Sequence, residues 1–110
     1  MTKKQVDREV AKHHSVVAGK LRKLFNLIGK LEIAVQDALA ADLNRQKKKL
    51  EDTLKLVESL RKQYEAQFEE INKDKNKTEY QEEYLYDLDN YYVERLKRLR
   101  RHNLIFVRWL

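Results

Sequence analysis

Apolar side chains recur at sevenfold spacing in two long runs whose phases disagree, and few folds are open to a chain built this way. In the first run Val10, Val17, Leu24, Leu31 and Ala38 fall seven apart, with Leu21, Leu27, Ile28 and Val35 widening the stripe. In the second, Leu43, Leu50, Val57, Tyr64 and Ile71 do the same, with Leu54, Leu60 and Phe68 between them. An apolar position about every 3.5 residues defines a helix with one seam to bury against other helices. The remaining positions are mostly Lys, Glu, Arg, Gln and Asp, so the opposite face is solvated. The first series would next place an apolar residue at 45, which is Arg45; the second begins at Leu43 instead. One uninterrupted stripe cannot absorb a slip of two residues, so the chain turns or the seam moves to another face. Asp42 is suited to cap a helix beginning at Leu43, which predicts a turn over residues 41–44. A single helix of about 70 residues is the competing expectation, because neither Gly nor Pro enforces the turn.

Residues 72–77 read Asn-Lys-Asp-Lys-Asn-Lys and contain no apolar side chain, the pattern of a linker. Thr78 with Gln81 has capping-box spacing and should start a third helix, as Thr2 with Gln5 should start the first. In that third helix Leu85, Leu88, Tyr92, Leu96 and Leu99 form the stripe to be buried. Tyr84 and Tyr91 flank it, and Tyr86 points elsewhere. The expectation is an all-α fold, a three-helix antiparallel bundle or coiled coil with helices at about 3–41, 43–72 and 78–103. The middle helix should share its stripe with the other two. Residues 1–103 would make one domain, and 104–110 an apolar C-terminal docking segment. Composition agrees: the chain has no proline and two glycines, Gly19 and Gly29. At 110 residues the core is thin enough that a second copy would help it.

Little in the chain suggests chemistry. Cysteine is absent, which removes disulfides and thiol catalysis. His13 and His14 are the first candidates for ligands, but adjacent helical positions point about 100° apart and cannot easily share a metal. Glu9, four residues before His13, permits an ion pair there. There is no Gly-rich phosphate loop, no Cys/His ligand set and no Ser/His/Asp arrangement. The chain is read as non-catalytic, with no cofactor and no metal. It opens on charged residues rather than a secretory signal, and no apolar run approaches the ~20 residues of a membrane span. That reads as a soluble intracellular protein, cytoplasmic or nuclear.

Charge is the more informative signal. The third helix carries Glu79, Glu82, Glu83, Asp87, Asp89 and Glu94 in its first part, then Arg95, Lys97, Arg98, Arg100 and Arg101 with no acid among them. The helix dipole favours this order by roughly 0.3–1 kcal/mol per charge, but only in the terminal turns. Blocks this long point to pairing with another surface, on another helix or another copy. Tyr80, Tyr84, Tyr86, Tyr91 and Tyr92 stand among carboxylates, which suits protein packing with a wet hydroxyl rather than base stacking.

The first reading is therefore a helical protein–protein interaction or assembly module that self-associates as a homo-oligomer. Its interface candidates are Tyr84, Tyr91, Leu104, Ile105, Phe106 and Trp109. A second reading uses the net charge of +6: a small nucleic-acid-binding protein contacting phosphates through Arg95, Lys97, Arg98, Arg100 and Arg101, helped by Lys20, Lys23 and Lys30. A third lays the apolar end on a membrane surface. A fourth makes the acidic Tyr-rich stretch the binding face of an inhibitor or adaptor.

The layout also resembles the helical region near the N-terminus of Gag-like polyproteins of Pao and BEL retrotransposons. The stretches that carry the resemblance are Gly19-Lys20-Leu21-Arg22-Lys23-Leu24, the segment from Leu43 through Leu50-Glu51, Tyr64-Glu65, and Glu82-Glu83-Tyr84 with the later Arg95-Leu96. The resemblance implies a non-catalytic, assembly-related region upstream of a capsid. The Cys-rich zinc knuckle that some Gag proteins use for nucleic acid has no counterpart here, so that function does not carry over.

Overall fold

The computed structural model describes residues 3–104, with side chains from Lys12 onward. Three α-helices follow one another: α1 (Lys3–Leu43), α2 (Lys47–Asn72) and α3 (Glu79–Arg101). There is no strand among the described residues, and the expected all-α bundle is what forms. The molecule measures 65 × 21 × 16 Å along its principal axes. Its long dimension is set by α1, whose 41 residues span about 60 Å at ~1.5 Å per residue.

Side-chain pairs fix the directions of the helices. His13 meets Asp74 and Lys20 meets Glu70, so α2 runs antiparallel to α1. Gln81 reaches the carbonyl of His14 and Arg95 pairs with Glu32, so α3 runs parallel to α1. These contacts also sort α1 into adjacent lines at sevenfold spacing. His13, Lys20, Leu27, Ala34 and Ala41 face α2, and His14, Leu21, Ile28 and Val35 face α3. Val17, Leu24, Leu31 and Ala38 lie between, aimed into the core. From Val17 to Ala41, all the apolar members of these lines are buried. The alanines at 34, 38 and 41 let the α2 backbone come close, since helix separation follows the size of the contact residues.

The remaining core comes from Val57, Leu60, Tyr64 and Ile71 of α2 and from Leu85, Leu88, Tyr92, Leu96 and Leu99 of α3. The stripe expected on α3 is thus the one buried, with Tyr86 exposed as anticipated. The sharing of stripes differs from expectation. It is α1, not the middle helix, that packs against both others, and α2 and α3 touch each other little. The apolar arc of α1 is wide enough for two neighbours, whereas that of α2 serves one. Aromatic rings span the wider α2–α3 seam. Tyr64 stacks on Tyr92 with ring centroids 3.6 Å apart and on Phe68 at 5.9 Å, and the Tyr64 hydroxyl donates to Asp89 Oδ1 at 2.8 Å.

The phase slip does mark a turn, and no continuous long helix forms, but the turn lies later than expected. Leu43 is the last residue of α1 and is 82% exposed. Gln46, not Asp42, occupies the N-cap of α2, without a side-chain capping bond. Arg45 adopts φ 56°, and the amides of Arg45 and Gln46 bond back to the carbonyls of Asp42 and Ala41. That is a Schellman cap, with an arginine in the left-handed position usually given to glycine. Asn103 (φ 56°) closes α3 in the same manner, with Leu104 N–H bonding to the Leu99 carbonyl. Between α2 and α3 the Thr78–Gln81 capping box forms as read from the spacing.

Arg45→Gly should relieve the left-handed strain, which costs an L-residue roughly 1–2 kcal/mol. Part of this gain is offset by glycine's greater unfolded-state freedom. The expected result is a net stabilisation of about 1 kcal/mol or less, read from urea denaturation of the two proteins.

Candidate interaction surface

The titratable groups whose protons are held away from their usual values are explained by packing. The Asp74 carboxylate accepts the Asn76 backbone N–H at 2.9 Å and lies 2.8 Å from His13 Nε2. The amide first and the imidazole second hold its carboxyl below the usual range. Lys77 Nζ donates to the carbonyls of Asn72 and Asp74, finishing the loop. Burial, followed by the Asp89 hydrogen bond, pushes the Tyr64 phenol far up. Burial and then the nearby Glu65 charge do the same for Tyr92. Both phenols stay protonated, as a stacked core pair requires. Among the described residues no group of three or more His, Asp or Glu side chains could hold a metal ion. Nor, among them, is any helix long and apolar enough to cross a membrane.

What the core leaves outside is more telling. A groove of about 390 Å³ runs between α1 and α3, lined by Phe25, Ile28, Gly29 and Glu32 on one side and by Tyr84, Leu88, Tyr91 and Arg95 on the other. Phe25 and Tyr91 are more than half exposed, and Tyr80, farther along α3, is 75% exposed. Tyr80 and Tyr84 stack with their planes 1° apart. Arg95 sits 5.6 Å from the Tyr91 ring centroid, held there by its 3.1 Å ion pair to Glu32. Gly29 forms part of the floor, and a Cβ built there would meet nothing within 4 Å.

Of the residues singled out from sequence, Tyr84 and Tyr91 are brought together in this groove. Leu104 lies half-buried against the bundle's own core, as the apolar residue that accompanies the α3 Schellman cap. Ile105, Phe106 and Trp109 lie outside the described residues. The basic set is divided. Arg95 is committed to Glu32, while Lys97 and Arg101 both approach Glu94, at 3.3 and 3.9 Å. At about 100° per residue, Arg98 lies on the groove side of α3 and Arg100 on the α2 side. Lys20 is likewise taken up by Glu70.

Sequence reasoning missed Phe25 and Gly29 as surface features, because both sit off the sevenfold apolar stripe. It also missed the His13–Asp74 clamp, whose partners are 61 residues apart. The same holds for Gln81, whose Oε1 accepts the Thr78 amide while its Nε2 donates to the His14 carbonyl at 2.9 Å. The chain matches no protein-family profile, no curated protein and no solved structure.

Because the Asp74 carboxyl is held low in the folded state, its contribution to stability is present above the unfolded value of about 3.9. It is lost as pH falls through the folded value. Melting temperature against pH should therefore show Asp74→Asn less stable than the parent above about pH 4, with the two curves converging as the solution is made more acidic.

Proposed function

We propose that this chain is a non-catalytic helical protein–protein interaction module that assembles with copies of itself through the α1–α3 face. The observation that carries the reading is an aromatic groove that no other described residue covers, beside the packed core. Phe25, Tyr80 and Tyr91 stay more than half exposed although Tyr64 and Tyr92 are fully packed. Aromatic side chains gathered around a groove are the composition of an interface centre. The resemblance to the assembly region of Gag-like polyproteins points the same way. A polyanion-binding role is less well supported, because Arg95, Lys97 and Arg101 are each engaged with a carboxylate and the cluster is spread around α3.

Light scattering at tens of micromolar tests the reading. The expected mass is a multiple of 13.3 kDa. Gly29→Gln places a side chain in the groove without a clash inside the chain and improves helix propensity by roughly 0.5–1 kcal/mol. It should return the protein to a monomer while leaving thermal stability at low concentration equal or higher. A parent that stays monomeric at that concentration removes the proposal.

A further inference from the structure

The exposed flank of α3 that borders the groove has a pattern that reads the same in both directions. Tyr80, Tyr84, Asp87, Tyr91, Arg95, Arg98 and His102 follow one another at spacings of four, three, four, four, three and four. These spacings keep them on one stripe of the helix. Tyr91 is the centre. Four residues before it stands Asp87 and four after it Arg95. Seven before stands Tyr84 and seven after Arg98. Eleven before stands Tyr80 and eleven after His102. Every acidic or aromatic member of the first half has a basic member or an imidazole at the mirror position.

We infer that the occupant of the α1–α3 groove is the α3 helix of a second copy of this chain, antiparallel to the first and crossing it on a two-fold axis at Tyr91. This rests on the self-association proposed above and adds the surface, the register and the symmetry. A two-fold interface is isologous, so a residue meets its mirror position and the reverse contact follows automatically. In this register Asp87 faces the partner's Arg95, Tyr84 the partner's Arg98, and Tyr80 the partner's His102. Each contact forms twice.

The single chain leaves two of the charged groups in this register unpaired among the described residues. Asp87 and Arg98 make no ion pair among the described residues, although both border the groove side. Arg95 is already paired with Glu32 at 3.1 Å and set over Tyr91, so the partner's Asp87 would join an existing ion pair rather than meet a free cation. Tyr80 and Tyr84 present a flat, stacked pair to an approaching guanidinium, the geometry of a cation–π contact. A parallel pairing would set Tyr84 against Tyr84 and Arg98 against Arg98, so the charge pattern itself selects the antiparallel one. Phe25 and Gly29 would then lie under the partner's helix, which covers the apolar wall.

The chain has no cysteine, so single cysteines report proximity without background. Tyr91→Cys should oxidise to a disulfide-linked dimer, since residues at a two-fold axis meet their own copies. Tyr86→Cys, on the other flank of α3 and also exposed, should not. Independently, Asp87→Arg should weaken the dimer by about tenfold or more by setting like charges face to face. Arg95→Glu, combined with Glu32→Arg to keep the pair within the chain, should weaken it comparably. Mixing the two variant chains should restore a heterodimer, because each charge then faces its opposite.

A monomeric parent overturns this inference together with the self-association reading, and leaves the groove to another protein or to the chain's own residues 105–110. A dimer that cross-links through Tyr86→Cys but not Tyr91→Cys, or one indifferent to Asp87→Arg, keeps self-association and overturns the antiparallel α3 register.

Discussion

The width of the apolar arc on α1 is the constraint from which the rest of the architecture follows. A helix buried along a narrow seam can hold one neighbour. Adjacent lines at sevenfold spacing, two of them turned toward different helices, hold two. Alanines on the α2 side shorten one approach, while Leu21, Ile28 and Val35 support the other. The two outer helices are then related mainly through α1, and the gap left between them is wide enough to need rings. Tyr64 and Tyr92 fill it at stacking distance. Burying a hydroxyl there is tolerable because the Tyr64 O–H donates to Asp89 Oδ1 at 2.8 Å; a buried donor left without a partner would cost about 1–3 kcal/mol.

Polar contacts then set the registers that apolar packing alone leaves free. A leucine seam is indifferent to a slide of one heptad, whereas Gln81 is not. Its side chain closes the capping box on α3 and in the same geometry grips one carbonyl of α1. The His13–Asp74 contact does the equivalent for the loop. Both join segments more than 60 residues apart in the chain. Surface ion pairs such as Lys73–Glu69 and Lys97–Glu94 contribute little by comparison, since exposed pairs are worth about 0–1 kcal/mol.

Helical periodicity made the elements legible from the residues alone: the α3 stripe, the capping box at Thr78 and the existence of a turn near 43 all follow from local spacing. The position of that turn did not. Asp42 and Leu43 carry good start signals, but a Schellman cap built on Arg45 lets α1 run two residues further, and an arginine gives no sequence sign that it will adopt φ 56°. Which helix would be central was also hidden, because breadth of burial depends on which flanking positions find a neighbour. The groove was half legible. Tyr84 and Tyr91 could be marked as flanking residues, but Phe25 and Gly29 become part of a surface only when α3 is laid beside α1.

The unequal packing of the two outer helices has a kinetic counterpart. Residues 44–46 close a hairpin of α1 on α2 across a connection of three residues, at little cost in chain entropy. Their contacts are extensive and begin at the shortest separations the chain allows. By contrast, α3 must find α1 in parallel, across the whole length of α2, and it meets α2 chiefly at a pair of rings. Proteins rich in local contacts form them first, and the elements joined late and by fewer contacts are the first to open. The hairpin should thus be the last unit to open, and α3, which carries five of the six tyrosines, the first.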